Sequence, residues 1–295
     1  RAAVDAPGFR RLPSGAPGAI LRRRGRAAPR RAAPPSRRSG APMPSTPAFE
    51  LVRPDGDPSV LVVCDHASNR VPEEVAHGDL GLAPEDMARH IAWDVGARGV
   101  SLRLAERLGC PAVLSTFSRL VIDPNRGEDD PTLVMKLYDG SVIPGNREVD
   151  GREVARRLAD WHRPYHDAIR GALDRAEARG ARPAVVSIHS FTPQLRGRRP
   201  RPWHVGVLWD ADGRLAVPLI ARLAAERGLV VGDNEPYSGR LRGDCMWTHG
   251  TRRGLPHALI EVRNDLISGA EGQRAWGDRL AEATTDALAA MRRAA

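Results

Sequence analysis

Three short apolar stretches of this chain each run into a residue that can bind or activate a metal. They are Val60-Leu61-Val62-Val63-Cys64-Asp65-His66, Ala184-Val185-Val186-Ser187-Ile188-His189 and Ala258-Leu259-Ile260-Glu261-Val262. Stretches this long and this rich in branched aliphatics read as strands buried on both faces, as in parallel sheets. Open α/β sheets bind their ligands beyond the carboxyl ends of such strands. The chain is therefore expected to deliver two imidazoles and a carboxylate to one sheet edge, which is what a mononuclear zinc hydrolase needs.

From about residue 58 onward, strand-like and helix-like segments alternate. Pro84-Glu85-Asp86 opens a helical turn. Val100, Leu104 and Leu108 mark a helix over 95–108 that Gly109 stops. Pro111–Leu114 and Leu120–Ile122 read as two further short strands, and residues 127–150, polar with scattered Gly and Pro, as a long loop or lid. A charged helical stretch spans Arg152 to Arg179, kinked or restarted at Pro164. A strand at Trp203–Trp209, a helix at Leu215–Glu226 and another strand before Gly232 follow. The C-terminal helix places Trp276, Leu280, Ala283, Ala287 and Met291 on one face. No internal repeat is visible. The pattern predicts an α/β fold: a three-layer α/β/α sandwich on a mostly parallel mixed sheet.

The formal net charge of +9 raises the question of nucleic-acid binding, and its location answers it. Residues 1–48 contain eleven arginines and one acid, Asp5, leaving 34 basic and 35 acidic residues elsewhere. This Arg/Pro/Ala-rich extension has too little apolar surface to offset chain entropy and is expected to be disordered. It could be a targeting leader, a phosphate-binding arm, or upstream sequence read through a misassigned start; Met43, just before the recognisable fold, favours the last. No nucleic-acid partner is expected. Residues 49–295 form the folded domain. Three cysteines in no CxxC spacing suit a reducing compartment. With no stretch near 18 apolar residues, a membrane span is not expected and a cytoplasmic location is the default.

His66 follows the first strand and His189 ends another; either alone could be a polar cap, and the pair at one edge points to a metal. Zinc hydrolases use three protein ligands and leave a position for water. Asp94 is the candidate third, although at the start of the 95–108 helix it could equally be an N-cap. Glu261 is the candidate general base, because a carboxylate inside an apolar strand is costly unless paired or functional; a salt bridge to Arg263 or another nearby arginine is its alternative. Strand periodicity puts His257, Leu259 and Glu261 on one face. Arg119, Arg126 and Arg240 lie in turns beside strands, and guanidinium forks favour a small acidic substrate. His162 and His166 are four apart, but no Glu follows the first and Pro164 intervenes, so a helical HExxH zinc motif is rejected.

Taken together, Asp65-His66-Ala67-Ser68-Asn69-Arg70-Val71-Pro72, Trp93-Asp94, Ser118-Arg119, Asp123-Pro124-Asn125-Arg126, Trp161-His162-Arg163-Pro164-Tyr165-His166, Ser187–Phe191, Ser238-Gly239-Arg240 and Ile260-Glu261-Val262 resemble the N-formylglutamate amidohydrolase family over about residues 50–290. The resemblance implies a fold related to zinc exopeptidases and peptidoglycan amidases. In the exopeptidases the first His belongs to an HxxE pair. Asn69 stands at that fourth position here, which leaves Asp94 as third ligand. The resemblance further implies one zinc ion on His66, Asp94 and His189, Glu261 as base, and substrate contacts from Arg119, Asn125, Arg126, Arg240, Ser68 and His249. The expected reaction is hydrolysis of an N-acyl amino acid, nominally N-formyl-L-glutamate to formate and L-glutamate. A peptidase or cell-wall amidase on the same scaffold, or a non-catalytic binder of metal or acidic metabolites, is the alternative. The oligomeric state is not legible.

Overall fold

The aliphatic stretches become strands of one seven-stranded sheet. A computed structural model describes Pro44 and residues 46–294. Most of the basic extension, and with it the expectation of disorder, lies outside the described residues. Thr46 and Ala48 are buried immediately before the first strand.

In chain order the strands are β1 (Phe49–Val52), β2 (Val60–Cys64), β3 (Ala112–Ser115), β4 (Leu137–Tyr138), β5 (Ser141–Val142), β6 (Ala184–Phe191), β7 (Val205–Leu208), β8 (Val231–Asp233) and β9 (His257–Arg263). The main sheet has the order β1-β3-β2-β6-β9-β7-β8, and β4 with β5 forms a separate ribbon. The four central strands β3, β2, β6 and β9 are mutually parallel. β1 runs antiparallel to β3, and β7 antiparallel to β9. The sheet is thus mixed and mostly parallel, as predicted.

The helices are α1 (Pro84–Met87), α2 (Ala97–Leu108), α3 (Gly151–Arg157), α4 (Arg163–Ala178), α5 (Ala216–Ala224), α6 (Cys245–His249) and α7 (Ala270–Ala294). Successive strand side chains point to opposite faces. Val60, Val62, Val186 and Ile260 accordingly pack with α2, α5 and α7. Leu61, Val63, Val185 and Leu259 pack with Tyr165, Ile169 and Leu173 of α4 and with Met246 of α6. These are the three layers. Gly277 of α7 lies against α2, where a Cβ would come within 2.5 Å of the Arg103 side chain. Among the described residues no helix is long and apolar enough to cross a membrane, and all three cysteines are buried and free.

One expectation is corrected. Leu120-Val121-Ile122 is a buried turn, not a strand. Two of its carbonyls are satisfied by side chains: Val121 O accepts from Arg157 Nη1 (2.8 Å) and Leu120 O from Asn146 Nδ2 (2.7 Å). A buried peptide needs hydrogen bonds, and a sheet is only one source of them. The charged helical stretch over 152–179 restarts near Pro164 as expected: it is two helices joined by a π-turn at Leu158–His162, where Arg163 N–H reaches back to Leu158 O. Pro164 has no N–H to continue the regular ladder, so the chain restarts there.

Candidate active site

β2 and β6 carry His66 and His189 to the carboxyl ends of neighbouring parallel strands, and β9 sets Glu261 directly opposite His189 in register. Asp94 arrives from before α2, tied down where its N–H donates to His66 O at 2.9 Å. The turn from Asp94 into α2 passes through Gly96 (φ 82°), where a Cβ would collide with Ile267 O at 2.1 Å.

The two imidazoles converge on one carboxylate oxygen. Asp94 Oδ2 lies 2.8 Å from His189 Nδ1 and 3.3 Å from His66 Nδ1. Donor atoms of all three residues lie within 4.8 Å of one another. The N-cap of α2 is Gly96, and the Asp94 carboxylate is turned to the histidines, Arg119 and Ser190 N–H (Oδ2, 3.2 Å) rather than to the helix. The capping alternative therefore falls.

The outer nitrogens face carboxylates that sequence reasoning did not single out. His66 Nε2 lies 2.7 Å from Asp123 Oδ1, and His189 Nε2 lies 2.9 Å from Asp65 Oδ2. Asp65 also accepts from Tyr165 OH (2.9 Å) and Ser187 Oγ (3.2 Å). Asp123 accepts from Arg119 Nη2 (2.9 Å) and Nε (3.2 Å). Carboxylates in this position fix the ring and aim Nδ1 at a metal. The available signal was that Asp65 and Asp123 sit inside apolar or motif-rich segments, where an acid needs a partner.

Of the four buried carboxylates Asp65, Asp94, Asp123 and Glu261, Asp94 and Asp123 are ion-paired with a guanidinium, that of Arg119. Burial alone would raise the Asp65 and Asp94 carboxyls, yet the neighbouring histidines hold both well below the usual range. Burial would likewise lower His189, but its hydrogen bonds to Asp65 and Asp94 push it well above its ordinary value. The site is short of positive charge. Two imidazoles and a carboxylate within reach of one point make it a fitting cradle for a divalent ion.

Glu261 differs from the other acids. It is 6 % exposed, and its Oε2 is buried with no hydrogen-bond partner among the described residues. Arg263, the alternative partner, pairs with Asp265 instead at 2.8 Å. Burial, helped by the nearby Asp94 charge, pushes the Glu261 carboxyl up to about 7.

These groups floor a cavity of about 160 Å³. Arg119, Asn125 and Arg126 line it as well, with Tyr138, Phe191 and Tyr237 among its walls. Arg119 is committed to Asp123 and Asp94. Arg126 is half-buried and anchored by Thr132 Oγ1 and Asn125 O. Asp244 also lines the cavity; its burial, with the charge of Asp65, outweighs the Trp247 N–H bond and raises its carboxyl to about 7.

Three expected contacts stand elsewhere. Arg240 is largely exposed, 3.6 Å from Asp210, and borders a neighbouring depression. Ser68 lies outside the cavity because the chain turns away after His66, with Ala67 N–H bound to Ser115 Oγ and Ser68 Oγ accepting from Arg70 N–H. His249 is buried within α6 against His166.

The geometry has counterparts. A solved gene product of Agrobacterium tumefaciens superposes with a TM-score of 0.79 at 34% identity, covering 84% of this chain and 97% of that one. The N-formylglutamate amidohydrolase of Ralstonia eutropha superposes with a TM-score of 0.63 at 25% identity, covering 85% and 100%. In sequence, the N-formylglutamate deformylase of Pseudomonas aeruginosa is 29% identical over 195 residues, or 61% of this chain and 73% of its own length. That of Pseudomonas putida is 28% identical over 159 residues, 49% and 58%. The sequence model of one family matches residues 58–268, across every strand from β2 to β9, and this chain belongs to that family, the N-formylglutamate amidohydrolases.

Proposed function

We propose that this chain is a zinc-dependent amidohydrolase that cleaves the amide of a small acidic N-acyl amino acid, with N-formyl-L-glutamate as nominal substrate. The observation that carries the reading is Glu261: an unpartnered buried carboxyl in the same cavity as His66, Asp94 and His189. The names of the Pseudomonas and Ralstonia relatives support the substrate class. The small cavity suits an amino-acid derivative better than a polymer.

His66, Asp94 and His189 would hold the ion, which when bound supplies Lewis acidity toward the acyl oxygen and a more acidic water. Glu261 Oε2 takes a proton from the attacking water and returns it to the departing amine nitrogen, so amide and water become acid and amine. Its carboxyl at about 7 suits a group that must both accept and donate near neutrality. Asp65 and Asp123 keep the two imidazoles oriented, and Arg119 holds Asp94 and Asp123 in place. Arg126 binds the substrate carboxylate. Three buried free thiols favour a reducing, cytoplasmic setting.

The test is metal analysis of the purified protein together with hydrolysis assays on N-formyl and N-acetyl amino acids. Zinc and a preference for N-formyl-L-glutamate are expected, with activity lost on chelation and restored by zinc. Full activity after the metal has been stripped ends the reading.

A further inference from the structure

α4 and α6 meet at a second group of metal-binding side chains. His166, Cys245 and His249 are buried, and each places a donor atom within 4.8 Å of the other two. None lines the catalytic cavity, and the proposed hydrolysis uses none of them. His166 Nε2–H donates to Pro124 O at 2.9 Å, so its Nδ1 bears the lone pair, and His249 Nε2 lies 2.8 Å from it. His162 repeats the arrangement. Its Nε2 meets Arg126 O at 2.9 Å, its Nδ1 is buried with no partner among the described residues, and its ring centroid is 4.5 Å from that of His166. A backbone carbonyl on the outer nitrogen is how ligating histidines are commonly fixed.

Cys245 and His249 stand one helical turn apart on α6, which has only five residues. A helix that short has little stability of its own. A cross-link to α4 would hold the turn that borders the cavity through Asp244.

We propose that His166, His249 and Cys245 form a second, structural site for zinc or a like borderline divalent ion, with His162, whose ring lies against that of His166, as a fourth donor. Closed sites of nitrogen and sulfur donors are the structural type, and soft sulfur selects such ions over magnesium or calcium. On binding, the Cys245 S–H bond breaks, its electron pair goes to the ion and the proton leaves to solvent. The proton on His249 Nε2 moves to Nδ1, freeing Nε2 as a ligand. The two nitrogens, now sharing a hydrogen bond, must part to about 3.3 Å to sit on a tetrahedral ion with bonds of about 2.0 Å.

The assignment is independent of the hydrolytic reading, and its test does not use activity. The metal-stripped full chain is titrated with cobalt(II). It should bind about two ions, and a near-ultraviolet thiolate-to-cobalt charge-transfer band should report Cys245, because the His66–Asp94–His189 group has no sulfur. His66→Ala/His189→Ala should keep the band and about one ion. Cys245→Ser should lose the band and keep about one ion. His249→Asn serves the same purpose if Cys245→Ser does not fold. Wild-type protein that binds about one ion with no thiolate band overturns the proposal. So does a band that neither Cys245→Ser nor His249→Asn alters.

Discussion

Replacing Glu261 with Gln keeps the shape of a buried side chain while removing its charge, and the consequence for stability can be worked out from the site. Burial and the Asp94 charge move the carboxyl from its ordinary 4.5 to about 7. The folded chain therefore holds its proton more tightly than the unfolded chain does. Below pH about 4.5 both states are protonated and the residue costs nothing. Between about 4.5 and 7 the unfolded state ionises first, and the native state loses relative stability; above about 7 the loss levels off. A difference of this size corresponds to about 3 kcal/mol. In metal-stripped protein, Glu261→Gln should match wild type near pH 4.5 and exceed it by about that amount near pH 8. The assay is urea unfolding of both proteins across this range; groups away from the site titrate equally in the two and cancel. Zinc supplies the missing positive charge and should narrow the gap. The same substitution should slow hydrolysis about 10²–10⁴-fold with zinc retained. Parallel stability curves for variant and wild type would refute the account of Glu261 as an unpaired buried acid.

Asp65→Asn removes the charge behind His189 Nε2; zinc affinity, read by chelator competition, should fall about 10–100-fold, and an unchanged affinity would remove Asp65 from the site. Arg126→Ala should raise KM for an N-formyl amino acid about tenfold or more while kcat holds, since its guanidinium is assigned to ground-state binding; a fall in kcat alone would contradict that role. Arg157 is 1% exposed and donates to Val121 O and Asn146 Oδ1. Arg157→Met strands both acceptors and should cost about 3 kcal/mol in urea unfolding, whereas a loss near zero would mean the 120–122 turn is held by other contacts.

The elements that were legible are those whose information is local. A β-branched stretch five to eight residues long must be buried on both faces whatever its neighbours, so Val60–Cys64, Ala184–Phe191 and His257–Arg263 could be read as central strands. Their ends then placed His66, His189 and Glu261 at one edge, because parallel strands finish on the same side of a sheet. Leu120–Ile122 carries the same local signal and misleads. The carbonyls of Leu120 and Val121 are met by Asn146 and Arg157 from further along the chain, and nothing within the stretch reports that. Arg240 likewise has the composition of an anion-binding turn, yet faces solvent beside Asp210.

The amino-acid order by itself determined the layered α/β architecture and the identity of the central histidines and Glu261, since periodicity and strand ends are properties of neighbouring residues. Tertiary structure alone decided how those groups are charged and held. His189 meets Asp65 across 124 residues, and His66 meets Asp123 across 57. Hydrogen bonds and Coulomb forces act over a few ångströms of space, without regard to separation along the chain, so pairings of this kind exist only once the sheet has brought the strands together.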